Sequence, residues 1–263
     1  MTPEQTSPSE GTQQFENAQR NLLTGKNIFI TGGSRDIGAG IVKALTGAGA
    51  NVLSIHRDPR KSRRADQVLQ AAAHTDGRLA FLIGDITRDD DRRSITQHVE
   101  ENFDATLDVV ILNASGPTRE VNVVAANALV DQFLPLMRSG GKIVLMQSVP
   151  GHYFNELEKN DIPEFYSPIA QAKHEGEQSL RHRIPEFAKK GISFLVVCPP
   201  EVSDTANIRF FRRSHPDLSD QQEALSEKYG LPAVVTVEDV SKKMVELLTR
   251  DDLPQGYVEF FTR

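Results

Sequence analysis

Short apolar runs alternate with longer stretches of helical periodicity along most of this chain. Ile28–Ile30, Asn51–Ile55, Leu79–Ile83, Leu107–Leu112, KIVLM within Gly141–Gln147, Ile192–Val197 and Tyr257–Phe261 read as seven strands. Several are nearly continuous in apolar character, which suits strands covered on both faces. Between them, amphipathic spacing predicts helices over Gly38–Gly47, Ser62–Ala73, Asp89–Phe103, Val121–Met137, Pro168–Ala188 and Val237–Thr249. Such alternation implies right-handed βαβ crossovers and an α/β fold, a doubly wound parallel sheet of about seven strands flanked by helices. One domain over residues 21–263 is expected, with no internal repeat. Residues 1–20 are polar and read as a disordered tail. His152–Phe165 and Ser203–Pro232 interrupt the alternation, and loops of this length in a compact domain point to lids or poor order.

Composition narrows the function classes. The formal net charge of -6 gives no global basic field for nucleic acid or an anionic membrane. The basic clusters Arg60–Arg64 and Arg209–Arg213 read as solvated faces. A single cysteine, Cys198, excludes an intrachain disulfide framework and a cysteine-based metal cluster, and no metal is expected. No apolar run approaches the ~20 residues of a membrane helix. No basic segment followed by an apolar one opens the chain, so a cytoplasmic location is expected.

The chemistry is concentrated in Lys26–Gly40, KNIFITGGSRDIGAG. A strand ends abruptly in Thr31-Gly32-Gly33, and Ile37-Gly38 opens a helix. Such a turn aims backbone N–H groups and the positive helix end at a phosphate. Gly32 and Gly38 permit the tight turn and close helix–strand packing. Asp36 stands where a third glycine is expected and reads as a cap on the helix it opens. At the end of the second strand, Ser54-Ile55-His56-Arg57 carries no carboxylate until Asp58. Arg35 and Arg57 instead suit a 2′-phosphate, favouring NADPH over NADH. Asp85 follows the third strand as an acceptor for an adenine amino group. Asn113-Ala114-Ser115-Gly116 follows the fourth as a place for backbone contact.

Together these residues resemble the short-chain dehydrogenase/reductase family from about Leu23 to Phe261, which implies a Rossmann-type sheet. TGGSRDIG at Thr31–Gly38 is similar to the family's TGxxxGxG, with Asp36 replacing one glycine. Asp85-Ile86, the NASG at Asn113–Gly116, Val121-Asn122, Ser148 and Cys198-Pro199-Pro200-Glu201-Val202 resemble further family segments, Pro200 replacing glycine in the last. The resemblance implies a cofactor set of Gly32, Ser34, Arg35, Asp36, Ile37, Gly38, Arg57, Asp85, Ile86, Asn113, Ala114, Ser115, Lys173, Pro199, Val202 and Thr205. It departs at the catalytic tyrosine. Lys173 is the natural lysine, but Ile169 stands four residues before it and Tyr166 seven before. That Y-x6-K spacing resembles bacterial enoyl reductases. Ser167-Pro168 reads as an N-cap followed by proline at the first helical position, leaving Tyr166 just ahead of the helix. Asn113 and Asn122 are only nine apart, and the chain from Ser148 to Lys173 is long, so the pocket floor is expected to be rebuilt.

The implied roles follow. Tyr166 donates the proton, Lys173 depresses its pKa and holds the nicotinamide ribose, Ser148 bonds the substrate oxygen, and Asn122 holds a water relaying protons to Lys173. His152 and Tyr153 are spare donors. In the lid, over about 203–232, Phe210 and Phe211 would cover the ligand while Arg212 and Arg213 meet an anionic group. The leading expectation is an NADPH-dependent reductase of a small or polyketide-like ketone. An enoyl reductase and a redox-inactive dinucleotide-binding sensor or scaffold are the alternatives. Relatives use the faces equivalent to Val121–Met137 and Pro168–Ala188 for self-association, so a homodimer or homotetramer is expected.

Overall fold

The structure, a computed structural model, describes residues 21–57, 62–72, 75, 77–158, 161–231 and 234–261. The expected tail at 1–20, Asp58 and the side chains of the basic run at 60–64 lie outside the described residues. The chain lays down β1 (Asn27–Thr31), α1 (Asp36–Gly47), β2 (Asn51–His56), α2 (Ser62–Ala72), β3 (Arg78–Ile83), α3 (Asp89–Asn102) and β4 (Leu107–Leu112). α4 follows, opening as a π-helix over Glu120–Ala125 and continuing as Ala126–Phe133. Then come β5 (Met137–Met146), α5 (Val149–His152), α6 (Ser167–Arg181), α7 (Ile184–Lys189) and β6 (Ser193–Val197). The remainder is β7 (Glu201–Val202), α8 (Ala206–Ser214), α9 (Leu218–Lys228), β8 (Val234–Val235), α10 (Val237–Thr249) and β9 (Tyr257–Glu259).

Seven strands form one parallel sheet in the order β3-β2-β1-β4-β5-β6-β9, and β7 pairs with β8 separately. Because side chains alternate across a strand, β1 feeds both layers. Ile28 and Ile30 pack with Ile41 and Leu45 of α1 and Met244 of α10. Phe29 packs on the other face with Phe133 of α4, Ile95 of α3 and Leu180 of α6. The apolar sides of α4 and α6 expected at an oligomer interface are therefore spent largely on the core; Val124 is an outward exception.

Four differences from the sequence expectation have physical causes. α4 ends at Phe133 rather than Met137, because Pro135 brings no N–H to continue the ladder. Met137 instead starts β5, pairing with Leu107 before a register shift ahead of Val109. The single helix expected over Pro168–Ala188 is two, since Pro185 starts a new helix in its first turn. The stretch after Ser203 is two helices, α8 and α9, bracketed by the β7–β8 pair, rather than an irregular loop.

Glycines report how closely α6 approaches α4. A Cβ on Gly176 would stand 2.2 Å from the Asn122 carbonyl oxygen, whereas one on Gly47 meets nothing within 4 Å. Gly176→Ala is expected to lower the unfolding free energy by about 1–3 kcal/mol, and Gly47→Ala to raise it by about 0.5–1 kcal/mol. Urea melts of both variants check the pair.

Candidate active site

The strand order reverses between β1 and β4, and a groove opens beyond their carboxyl ends, where ligands of such sheets bind. Thr31 and Asn113 hold its two sides together. The Thr31 hydroxyl accepts from the backbone N–H of Asn113 (3.0 Å) and Ala114 (2.8 Å), while Asn113 Nδ2 donates to the Thr31 carbonyl (2.9 Å). Gly32 adopts φ 76° under this bond set, and a Cβ on Gly38 would stand 2.2 Å from the Gly32 carbonyl oxygen. Ser54 of β2 accepts from the Gly33 N–H at 3.0 Å. Ser34, Arg35, Asp36 and Ile37 complete the turn, leaving amides at the mouth of α1 open to a phosphate.

Beyond this turn the groove runs past Arg57, Asp85 and Ile86 on one side and Asn113, Ala114 and Ser115 on the other, then to Ser148, Tyr166, Lys173, Pro199, Val202 and Thr205. Its volume is about 780 Å³, ample for a dinucleotide and a small substrate. Sixteen residues expected to bind cofactor thus line one cavity, whose glycine cradle and open amides fit a diphosphate. Asp85 is already engaged: Thr87 N–H (3.0 Å) and Thr87 Oγ1 (2.8 Å) donate to its Oδ1, and Arg57 lies 3.8 Å from Oδ2. Burial opposes its ionisation, but the Thr87 hydrogen bonds and the Arg57 charge hold the carboxyl below its usual value. Arg57 is exposed, so this pairing is weak and leaves the guanidinium able to turn to a ligand.

At the far end, Tyr166 Oη donates to Ser148 Oγ at 3.1 Å. The cap of α6 is Tyr166 itself, Ser167 and Pro168 occupying the first turn, so its direction comes from Ser148 rather than from helical spacing. The expected depression of the Tyr166 pKa is corrected: burial raises it, partly offset by the Ser148 bond. Lys173 Nζ donates to the Met146 carbonyl at 3.2 Å. Burial brings the Lys173 pKa down to about 8.

Asn122 lies outside the groove. Its Oδ1 accepts from Ser115 Oγ (2.9 Å) and its Nδ2 donates to the Gly116 (2.6 Å) and Thr118 (2.9 Å) carbonyls, so its side chain braces the loop after β4. Asn122 and Lys173 nevertheless both line a second cavity of about 10 Å³, close to the space one water needs.

Three further expectations are corrected. Asp36 does not cap its own helix; its Oδ1 accepts from the Ala206 N–H, the first residue of α8, at 2.9 Å. The spare donors are occupied elsewhere: His152 Nδ1 meets the Glu177 carboxylate at 2.9 Å, and Tyr153 stacks on Tyr229 and Phe260. In α8, Phe211 lines the groove while Phe210 is 64% exposed and points away. Arg212 pairs with the buried Glu201 and so is not free for an anionic ligand, whereas Arg213 is exposed.

Sequence reasoning missed the support under Ser148. Gln147 Oε1 accepts from the Ser148 N–H (3.0 Å), and Gln147 Nε2 donates to Glu177 (2.9 Å). Glu177, fully buried, also accepts from Arg181 Nε at 2.7 Å. Burial alone would raise its carboxyl, but His152, Gln147 and Arg181 together bring it below the ordinary 4.5. The i,i+4 pairing of Glu177 with Arg181 was readable; its link to Gln147 was not. Phe165, also missed, stacks on His215 at 3.9 Å and tilts against Phe211 at 5.0 Å, roofing the Tyr166 end.

Comparison with known proteins places these features in context. The short chain dehydrogenase family model matches residues 26–214. The L-fucose dehydrogenase of Bos taurus is 29% identical over 151 residues, 51% of this chain and 53% of that protein. The chain thus spans about half the length of the first curated relatives it matches. A hydroxynaphthalene reductase of Aspergillus fumigatus is 26% identical over 267 residues, 91% of each chain. The crystal structure of an angucycline C-6 ketoreductase with bound NADP superposes with a TM-score of 0.73 at 21% identity, over 91% of this chain and 95% of that one. Others of this fold are also NADP or NADPH complexes.

Glu177→Gln is expected to cost about 3 kcal/mol of stability near neutral pH, the usual scale for breaking a buried charged cluster. A carboxyl depressed on folding contributes stability above its unfolded pKa and loses it as pH falls. The variant is therefore expected to show a shallower loss of stability below about pH 4.5 than the parent. Denaturant melts across pH 3–7 measure both effects.

Proposed function

The chain belongs to the short-chain dehydrogenase family, and from that premise we propose that it is an NADPH-dependent ketoreductase acting on a small or polyketide-like ketone. The observation that carries this reading is the 3.1 Å bond between the Tyr166 phenol and the Ser148 hydroxyl at the end of a dinucleotide-sized groove. Bound NADPH would supply the hydride. Ser148 and Tyr166 together present two hydroxyls to one carbonyl oxygen, and as charge develops there Tyr166 is the proton donor. Its raised pKa keeps it protonated at neutral pH. Lys173 is cationic below about pH 8. A water in the cavity it shares with Asn122 would relay protons to it. The Gln147–Glu177 cluster fixes the Ser148 backbone.

At the open end, Arg35 and Arg57 would pair with the 2′-phosphate. Phe165 and Phe211, with Ile169 and Leu225, give the substrate end flat apolar walls, which suit a planar ring system. The polycyclic substrates named for a hydroxynaphthalene reductase and an angucycline ketoreductase among the similar proteins support that class. The Y-x6-K spacing favours an enoyl reductase, but the Ser148 hydroxyl on Tyr166 suits a carbonyl oxygen better. Convergence of Ser148, Tyr166 and Lys173 on one groove argues against a redox-inactive scaffold.

NADPH consumption is expected with bicyclic aromatic ketones and not with enoyl thioesters; the reverse preference would favour the enoyl reductase. Tyr166→Phe is expected to reduce kcat roughly 100-fold, and a loss under tenfold, about 1.4 kcal/mol, would remove Tyr166 from the role. The wild-type kcat for reduction is expected to fall above about pH 8, as Lys173 loses its proton.

A further inference from the structure

Asp36 sits at the seam between two parts of the groove. Its backbone holds φ 49°, a left-handed conformation that Asp and Asn adopt more readily than other residues with a Cβ. Its carboxylate spans two neighbours: Oδ2 lies 3.7 Å from Arg35 Nε, and Oδ1 accepts from the Ala206 N–H at 2.9 Å across 170 residues of chain. Ala206 opens α8, whose own cap, Thr205, turns its hydroxyl to Ile208 N–H. The Asp36 carboxylate thus supplies the acceptor for another orphan amide of that helix, where negative charge is favoured. One helical turn on, Ile208 and Phe211 face the substrate end of the groove.

We propose that Asp36 is a positioning residue that couples the phosphate-binding turn to the substrate lid, so that a ligand on the turn tightens α8 over the substrate. The proposal rests on reading the groove as a dinucleotide site. An anionic diphosphate arriving at the mouth of α1 meets Asp36 and Arg35 together. It draws Arg35 toward itself and repels the carboxylate, whose remaining favourable direction is the amide end of α8. The two ligands then share one mechanical link, and linkage requires each to strengthen the other. Glycine here would relieve the backbone and bring no acceptor for Ala206. Asparagine tolerates the left-handed conformation, keeps an acceptor oxygen and removes the charge.

Asp36→Gly and Asp36→Asn therefore separate bond from charge. Hydrogen–deuterium exchange over residues 204–210, without and with NADPH, reads the link without requiring turnover, and calorimetry reads NADPH binding. In the wild type, NADPH is expected to slow exchange in this segment severalfold. Asp36→Gly is expected to raise basal exchange about tenfold and to lose the NADPH effect. Asp36→Asn keeps near-wild-type basal exchange and part of that effect. With 2-tetralone as the ketone, Asp36→Gly is expected to raise KM about tenfold and Asp36→Asn to restore it. Equal exchange in the wild type and Asp36→Gly, or the same KM in both variants, overturns the proposal. Failure of the wild type to bind NADPH in the calorimeter overturns instead the dinucleotide reading beneath it, and the proposal with it.

Discussion

Everything at the groove depends on how the ends of β1 and β4 are tied where the strand order reverses. Thr31 takes three hydrogen bonds across that point, two from Asn113 and one from Ala114, using one hydroxyl, one carboxamide and the backbone on both sides. The ties leave no room for a side chain on Gly38, where a Cβ would meet the Gly32 carbonyl oxygen and Asn113 Nδ2. They fix the distance between turn and helix, and so aim the first amides of α1 outward. A looser junction would still fold as a parallel sheet. It would not present a preformed anion site, and preorganisation of that kind is what reduces the entropic cost of binding.

The same economy governs the other end. Tyr166 precedes its helix, so helical geometry does not aim its ring. The Ser148 hydroxyl on the loop after β5 does, and the Ser148 backbone N–H is held in turn by Gln147, itself tied to Glu177, which His152 and Arg181 also contact. A buried carboxylate with this many donors is costly to lose, and it lets a rearranged pocket floor keep its reacting groups in place. The long connection from Ser148 to Lys173 is thus accommodated by a polar cluster beneath the site, with Tyr153, Tyr229 and Phe260 stacked beside it.

What the sequence made legible was local. Leu107–Leu112 and Val237–Thr249 match their expected bounds, the first because five of its six residues are apolar, the second because Thr236 and Asp239 form a capping box. The glycine turn was readable because its steric demand lies within eight residues. The Asp36–Ala206 bond was not, since its partners are 170 residues apart. Nor was the occupation of His152, Tyr153 and Arg212, whose partners are set by packing. α8 and α9 stand where a lid loop is expected: α8 is amphipathic but polar on average and buries no residue fully, so its pattern does not distinguish a surface helix from a loop. Pro135 and Pro185 mark the two helix boundaries at which the structure departs from the apolar periodicity.

The claim on which the account stands is that the mouth of α1 receives a dinucleotide diphosphate, with Arg35 and Arg57 beside its adenosine ribose. Titration calorimetry of the full chain with NADPH and with NADH tests it directly. One NADPH per chain is predicted, bound at least about tenfold more tightly than NADH, a difference of about 1.4 kcal/mol. Heat-silent titrations with both dinucleotides at millimolar concentration, with neither displacing the other in competition, would contradict it.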